Sequence, residues 1–451
     1  MRLDCLGNAV STGSDATLRG IDDFVEGFLA YETRAENIIA AADADPKSCL
    51  ANAYAGILWM LLEAPEAPQR AAPYLIAAEH SAAGASGREQ LTSAFLRAWV
   101  DDDLRQALRI AARIEADHPT DLAIVKLHQY LDFNRGDFPS MLRTALSVRE
   151  ANNDIAYIHG MTAFAYEQCH LLDEAERAAH RALEINRKEP WAQHALAHVH
   201  LTRGNIEDGA WFMESVSDTW TGLNSFMYTH NWWHLALFYL SQGRNDEVLD
   251  IYDAHCWNVV KSYSQDQIGA VSLLTRLELA GCDVGQRWDD VGGHLCVRAR
   301  DTVQPFLTLQ YLYGLARAQR SEAAQLLDAI RERAQSAPDF VRETWAEVAA
   351  PAAEGLIAYA RNDFATARKR LGAALPRMSE IGGSHAQRDL FEQILLDARI
   401  KSGDLVLAQQ QLELRRGADP MSVPINSALA AIYDRLGVPA EAQRARSRIA
   451  E

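Results

Sequence analysis

The sequence predicts an all-α protein built from repeated pairs of helices. Apolar residues recur three and four positions apart along almost the whole chain, and this spacing places them on one face of a helix. Stretches typical of strands are nearly absent. Short breaks rich in Gly, Asn, Asp or Pro separate the helical segments, as in Arg135-Gly136-Asp137 and Arg203-Gly204-Asn205. These breaks have the character of turns between helices.

A constant period identifies the kind of repeat. Consecutive repeats, each 34 residues after the last, start at Arg88, Leu122, Ala156 and Pro190. This is the period of the tetratricopeptide repeat, a helix-turn-helix unit. The next repeat starts near Thr229, 39 residues after Pro190, and the turns at Gly403 and Gly437 are again 34 residues apart. Because one such pair of helices cannot bury its apolar face alone, we expect the repeats to stack into a curved α-solenoid, or superhelix.

The regularity of the repeat differs along the chain, which we expect to form one solenoid over residues 1–451. Residues 1–87 form a helical cap before the first regular repeat, and residues 88–260 carry the regular tetratricopeptide-like repeats. Spacing becomes irregular over 261–347 and returns to the repeat period over 348–451. We therefore expect four segments of one array.

Composition and charge exclude several classes of function. A net charge of −17 and the absence of a visible basic patch argue against a nucleic-acid partner, since neutralising phosphates requires clustered Lys and Arg. The N-terminus lacks the apolar core of a signal peptide, and apolar segments such as Ala53 to Leu62 are too short to span a bilayer. We expect a soluble, cytoplasmic protein with no membrane partner.

Two kinds of bound group are likewise not expected. The six cysteines are scattered and include no Cys-x-x-Cys pair, which argues against a disulfide framework or a cysteine-rich zinc site. No Gly-x-Gly-x-x-Gly motif is present, so the sequence gives no support to a nucleotide or flavin cofactor.

Two pairs of histidines form the most informative pattern in the chain. His194 and His198 are four residues apart, as are His230 and His234, and residues at this spacing share one face of a helix. The repeat register places His194 and His198 at positions 5 and 9, and His230 at position 2, of first helices that line the concave surface. His234, at position 6, lies at the edge of that surface.

Neighbouring positions of the same register complete a mixed lining. Tyr157 and Glu167 occupy inward positions of the repeat that starts at Ala156, and Trp233 occupies one beside His230. Aromatic and polar side chains together are typical of a small-molecule or peptide site. The alternative is that these histidines simply fill space between helices.

Three chemistries remain open for the cluster. Ligand recognition by His198, Trp233 and His234 demands least of the residues. Acid–base catalysis by His194 or His230 is a second, with Glu167 orienting a ring. The third is a divalent metal held by His194, His198, His230 and His234. Neither pair has the His-Glu-x-x-His form, so the zinc-protease mechanism has no general base.

A second motif precedes a helix near the C-terminus. Gly382 and Gly383 permit a tight turn, and Ser384 is suited to cap the following helix. The ligand candidates on that helix, where backbone N–H groups favour an anion, are His385, Gln387, Arg388 and Asp389. Arg388 is able to clamp a carboxylate. A capped helix with an Arg388–Asp389 surface pair is the alternative.

Three blocks carry a resemblance to a known family. They are Trp191-Ala-Gln-His-Ala-Leu-Ala-His, His230-Asn-Trp-Trp-His-Leu-Ala-Leu-Phe and Ile381-Gly-Gly-Ser-His-Ala-Gln-Arg-Asp-Leu-Phe. Together they resemble the tetratricopeptide repeat protein 38 family, also called StaR-like proteins. The likeness covers nearly the whole chain and implies the repeat fold, but it implies no defined biochemical activity.

The sequence therefore predicts a site for a small polar or anionic ligand on the concave face, with acid–base or metal-assisted catalysis left open. The alternative function is a scaffold that binds a peptide segment of a partner protein in an open groove. Whether His385 faces the histidine pairs depends on how tightly the repeats curl.

Overall fold

Helices account for nearly all regular structure in the computed structural model, which describes residues 2–450. Two short strands, Arg2–Leu3 and Ala9–Val10, pair antiparallel near the N-terminus. Two compact units divide the chain. The first unit comprises Met1–Ala195, Thr219–Met227 and Pro338–Phe340. The second unit comprises Leu196–Asp218, Tyr228–Ala337 and Val341–Glu451.

The first unit is a succession of helices in which each helix packs against the next. Its helices are α1 (Asp15–Ala30), α2 (Asn37–Ala44), α3 (Cys49–Met60), α4 (Ala67–Ser81), α5 (Gly87–Val100), α6 (Leu104–Asp117), α7 (Leu122–Phe133), α8 (Phe138–Val148), α9 (Ala156–Gln168) and α10 (Leu172–Ile185). Their apolar faces form a core that includes Phe24, Tyr54, Phe95 and Ile124.

Three helices contain residues of both units: α11 (Pro190–Arg203), α13 (Ser225–Ser241) and α19 (Asp339–Thr344). The helices that lie wholly in the second unit are α12 (Ile206–Val216), α14 (Asn245–Ile251), α15 (Ser264–Leu279), α16 (Arg287–Leu295), α17 (Pro305–Arg317), α18 (Glu322–Ser336), α20 (Ala350–Ala360), α21 (Phe364–Ala374), α22 (His385–Lys401), α23 (Leu405–Ala418), α24 (Val423–Arg435) and α25 (Pro439–Ala450).

Short segments of other helical geometry connect several of these elements. The 3₁₀ segments are Thr33–Glu36, Ala82–Gly84, Glu150–Asn152, Ser217–Trp220, Cys296–Arg298 and Leu375–Ile381. Two π-helical segments, Tyr252–Cys256 and Trp345–Ala349, follow α14 and α19.

The predicted all-α class of tetratricopeptide-like helix-turn-helix repeats is confirmed. Helices α7, α9 and α11 begin at the predicted repeat starts Leu122, Ala156 and Pro190. The fifth repeat differs, because α13 begins at Ser225, four residues before the predicted Thr229. The aromatic residues that follow Ser225 extend the helix backwards instead of forming a connection.

The turns between paired helices are tight, as their sequences predict. Gly204, between α11 and α12, has a φ of +70°, in the left-handed region that glycine adopts without strain. A Cβ at this position would collide with the carbonyl oxygen of Ala418 at the end of α23. Two requirements therefore select glycine here.

The segment 261–347, where the repeat period is lost in the sequence, still folds into successive packed helices from α15 to α19. A single solenoid with boundaries at 87, 260 and 347 stays a prediction. Among residues 2–450, no helix is both long enough and apolar enough to span a lipid bilayer.

Candidate functional site

Four imidazoles come together in the second unit, and we call His198, His230, His234 and His385 the histidine cluster. His198 lies on α11, His230 and His234 lie one turn apart on α13, and His385 is the first residue of α22. The ring nitrogens of His198, His230 and His234 lie within 4.8 Å of one another. The Nδ1 of His198 is 3.4 Å from the Nε2 of His385.

Ring packing fixes the orientation of the cluster. The ring centroids of His198 and His234 are 4.5 Å apart, and those of His230 and His234 are 4.8 Å apart with the planes nearly perpendicular. Trp233 stacks on His230 at 5.3 Å and meets His234 edge-on at 4.8 Å. These contacts hold the imidazoles in a defined arrangement.

The cluster is buried at its base and accessible at its edge. His198 and His234 are 0% exposed and Trp233 is 2% exposed. His230 and His385 keep part of their surface accessible. A small molecule therefore reaches the cluster from the side of His230 and His385.

Burial keeps one of these imidazoles neutral. Removal of the ring from water, aided by repulsion from His198, lowers the pKa of His230 to about 3. Since a buried cationic ring is unfavourable, His230 is uncharged at neutral pH. It can accept a hydrogen bond or bind a metal there, but it contributes no positive charge.

The positive charge beside the cluster comes from Arg276, in the middle of α15. Its Nη2 donates a hydrogen bond of 2.7 Å to the backbone carbonyl of Ala386, and its Nη1 donates to the hydroxyl of Ser272. The guanidinium lies 5.3 Å from the ring centroid of Trp233. Arg276 thereby joins α15 to the start of α22, next to His385.

Arg276 is a buried charge without a paired carboxylate. Its residue is only 4% exposed, and none of the carboxylates in residues 2–450 forms a salt bridge with it. Burial lowers the pKa of Arg276 to about 10, against an opposing effect of Asp389, so the guanidinium stays cationic at neutral pH. A buried, unpaired charge is costly, which makes the surroundings of Arg276 favourable for an anion.

Buried hydrogen-bonding groups on α13 add to this demand for a partner. Within the described chain, the indole Nε1 of Trp233 has no hydrogen-bond acceptor, and the side-chain amide of Asn231 has no partner at either end. Asn231 is 0% exposed. Buried polar groups in proteins are almost always hydrogen-bonded, so the N–H of Trp233 is available to an acceptor atom.

The start of α22 shows the predicted helix cap. The Ser384 hydroxyl accepts from the backbone N–H of Gln387, and the Gln387 side chain accepts from the backbone N–H of Ser384. Arg388 donates to the carbonyl of Gly383. Gln387 therefore serves the cap, and the cap places His385 in the first turn.

Asp389 pairs with a residue that the sequence did not suggest. Its carboxylate accepts two hydrogen bonds from Arg415 on α23, of 2.6 and 3.0 Å. Burial acts to raise the pKa of Asp389, but the Arg415 charge prevails and lowers it to about 2. The structure thus has an Asp389–Arg415 ion pair in place of an Arg388–Asp389 surface pair.

The remaining predicted site residues belong to the first unit. His194 is 1% exposed and stacks on Trp191 at 4.4 Å, one helical turn before His198 on α11. Glu167 is fully buried and accepts a hydrogen bond of 2.6 Å from the side chain of Gln168. Tyr157 is half-buried, and its burial raises its pKa to about 12.

Sequence reasoning missed Arg276. The available signal was a single charged residue within the apolar run Leu273-Leu-Thr-Arg-Leu, because a charge inside the apolar face of a helix needs a partner. The sequence contains no sign of which histidines this arginine accompanies.

No protein-family model matches this chain. Among solved structures, the chain is similar to the human IFIT1 dimer with PPP-AAAA, at 11% identity, 99% coverage of this chain, 97% coverage of that chain and a TM-score of 0.39. It is also similar to the APC/C hetero-tetramer Cut9-Hcn1, at 14% identity, 97% and 87% coverage and a TM-score of 0.29. For Naa15/Naa10 bound to HypK-THB the values are 14% identity, 96% and 68% coverage and a TM-score of 0.25. Likenesses this remote say nothing about what this chain binds.

Proposed function

We propose that the second unit binds a small anionic molecule, with a carboxylate or phosphate group, between Arg276 and the histidine cluster. The observation that carries the proposal is the burial of the Arg276 guanidinium without a salt bridge to any described carboxylate. An anion that binds there offsets the cost of the buried charge. Arg276 also has the planar donor geometry that matches carboxylate and phosphate oxygens.

The neighbouring side chains supply what an anionic ligand needs. The indole N–H of Trp233 is a free hydrogen-bond donor, and the Trp233 ring offers an apolar wall. The neutral ring of His230 donates or accepts according to its tautomer. Partial exposure of His230 and His385 leaves a way in. Ligand pockets commonly combine apolar walls with a few convergent polar groups in this manner.

Binding is the function that we propose, ahead of turnover. An acid–base catalyst at neutral pH works best with a pKa near 7, and burial lowers the pKa of His230 to about 3. The repeat fold and the histidine cluster do not name a substrate, so membership of the tetratricopeptide repeat protein 38 family, which we also propose, adds no reaction.

Titration calorimetry with inorganic phosphate and with oxalate tests the proposal. We expect at least one of these anions to bind wild-type protein with a stoichiometry of about one, and Arg276→Met to weaken binding at least tenfold, as loss of a charge-assisted hydrogen bond requires. The control is Arg300→Met, because Arg300 is exposed and pairs with Glu332 on the surface. Equal binding by wild type and Arg276→Met would contradict the proposal, and so would failure of both anions to bind wild type.

A further inference from the structure

We infer that His198, His230 and His234 form a binding site for a divalent transition-metal ion of the zinc class. The inference rests on the proposed function, since the ion and the anion would share the histidine cluster. It adds a cofactor that binds directly to the anionic ligand.

The arrangement of nitrogens fits such an ion. His230 and His234 project from one face of α13 at the spacing that supplies two zinc ligands from one helix, and His198 comes from α11. Zinc binds imidazole nitrogens at about 2.0–2.1 Å, which separates tetrahedral ligands by roughly 3.3 Å. The three nitrogens already lie within 4.8 Å of one another, so small side-chain rotations complete the geometry.

His385 has the place of an outer partner. The Nδ1 of His198 is 3.4 Å from the Nε2 of His385, which leaves the Nε2 of His198 for the ion. Imidazole ligands of metals usually have such a partner at the second nitrogen, and it fixes the tautomer and the ring orientation. Stacking on Trp233 does the same for the ring of His230.

The ligand set also indicates the class of metal and its use. Imidazole nitrogens select zinc, copper, nickel or cobalt over magnesium and calcium, which prefer oxygen. Three protein ligands leave a fourth tetrahedral position open. An anion that occupies it has its charge balanced by the ion and by Arg276. The N–H of Trp233, which has no acceptor in the described chain, is then a donor beside the same ligand.

Reconstitution with cobalt tests the inference. Untagged protein is stripped with a chelator, loaded with Co²⁺, desalted, and measured by elemental analysis and visible absorption. We expect one cobalt per chain with the intense absorption of tetrahedral nitrogen ligation, and a change of that spectrum when oxalate is added. The variants His198→Ala and His234→Ala should lose the ion. The control, His180→Ala, should keep it, because His180 is 60% exposed on α10.

The outcomes separate the inference from the proposed function. Wild type that retains neither cobalt nor zinc in stoichiometric amount overturns the metal site, even when the histidine variants fail to fold. If oxalate still binds this metal-free protein and Arg276→Met abolishes that binding, the proposed function stands without the metal. Stoichiometric cobalt in Arg276→Met, with weaker oxalate binding than in wild type, supports both.

Discussion

Arg276 shows how a single residue can disclose a site. A hydrophobic side chain of similar length would satisfy the packing of α15 without the cost of desolvating a charge. Its two hydrogen bonds, to Ser272 and the carbonyl of Ala386, satisfy part of the guanidinium but do not neutralise it. A buried charge kept without a partner is therefore better explained by binding than by stability.

This interpretation predicts opposite effects for two buried arginines of the second unit. Arg276→Met should leave the free energy of unfolding within about 1 kcal/mol of wild type, or raise it, because an unpaired charge is removed. Arg298 is as buried but bonds to Asp301 at 3.0 Å and to Gln267 at 2.9 Å. Arg298→Met should cost about 3 kcal/mol, because it leaves a buried carboxylate.

Urea denaturation at neutral pH measures both values. The free energies are compared between each variant and wild type without added anions, so that ligand binding does not contribute. A loss of stability in Arg276→Met equal to that in Arg298→Met would mean that Arg276 is a structural residue.

The Asp389–Arg415 pair gives a pH-dependent prediction. The folded-state pKa of Asp389 is about 2, below the value of about 3.9 in an unfolded chain. Its stabilisation is therefore present above pH 4 and is lost as pH falls toward 2. Arg276 also lowers this pKa, whereas Glu392 lies near Arg415 and competes for its charge.

Asp389→Asn should destabilise the protein by roughly 1–2 kcal/mol at pH 7, somewhat less than the full shift implies because the pair is partly exposed. The difference from wild type should shrink between pH 4 and pH 3. Denaturant titrations at these pH values measure it, with Asp253→Asn on an exposed surface pair as control. A difference that stays constant down to pH 3 would show that the charge of Asp389 is not what stabilises.

At the scale of the element, the sequence predicted local structure well. Apolar spacing and turn residues are local signals, and they located the starts of α7, α9 and α11 at the residue. The start of α13 was placed four residues late, because the repeat period was extended past an aromatic segment whose own helical tendency decides the boundary. The Ser384 cap was also legible, since capping depends on residues three apart.

Turn glycines differ in what they require, and two of them make a matched pair. Gly204 and Gly437 both have φ near +70°, so alanine at either position costs about 1 kcal/mol of backbone strain. Only Gly204 also faces a neighbouring backbone, at the carbonyl of Ala418, whereas a Cβ at Gly437 meets nothing. Thermal and urea unfolding should show Gly204→Ala losing roughly 3 kcal/mol and Gly437→Ala roughly 1 kcal/mol. Equal losses would indicate that α23 moves away without cost.

At the scale of the molecule, the site depends on contacts that no local pattern contains. His198 and His385 are 187 residues apart in the chain and 3.4 Å apart in space. The repeat register could place His198, His230 and Trp233 on a common face, but the approach of α15 and α22 depends on the packing of many helices. For this reason His385 remained conditional in the sequence and Arg276 was not found.

The charge of the whole molecule makes the proposed anion site unusual. With a net charge of −17, the protein repels anions at long range, and salt at physiological strength screens that repulsion beyond about 8 Å. Anion binding must therefore come from a local, buried charge rather than from the overall field. Arg276 is the residue that provides it.

Anomalous scattering from crystals grown with selenate tests the central claim most directly. Selenate has the shape and charge of sulfate, and its selenium atom can be located independently of the protein atoms. We predict a selenium peak within hydrogen-bonding reach of the Arg276 guanidinium and the Trp233 indole N–H, and no such peak in Arg276→Met crystals. Selenium peaks only at exposed arginines, with none beside Arg276, would contradict the account.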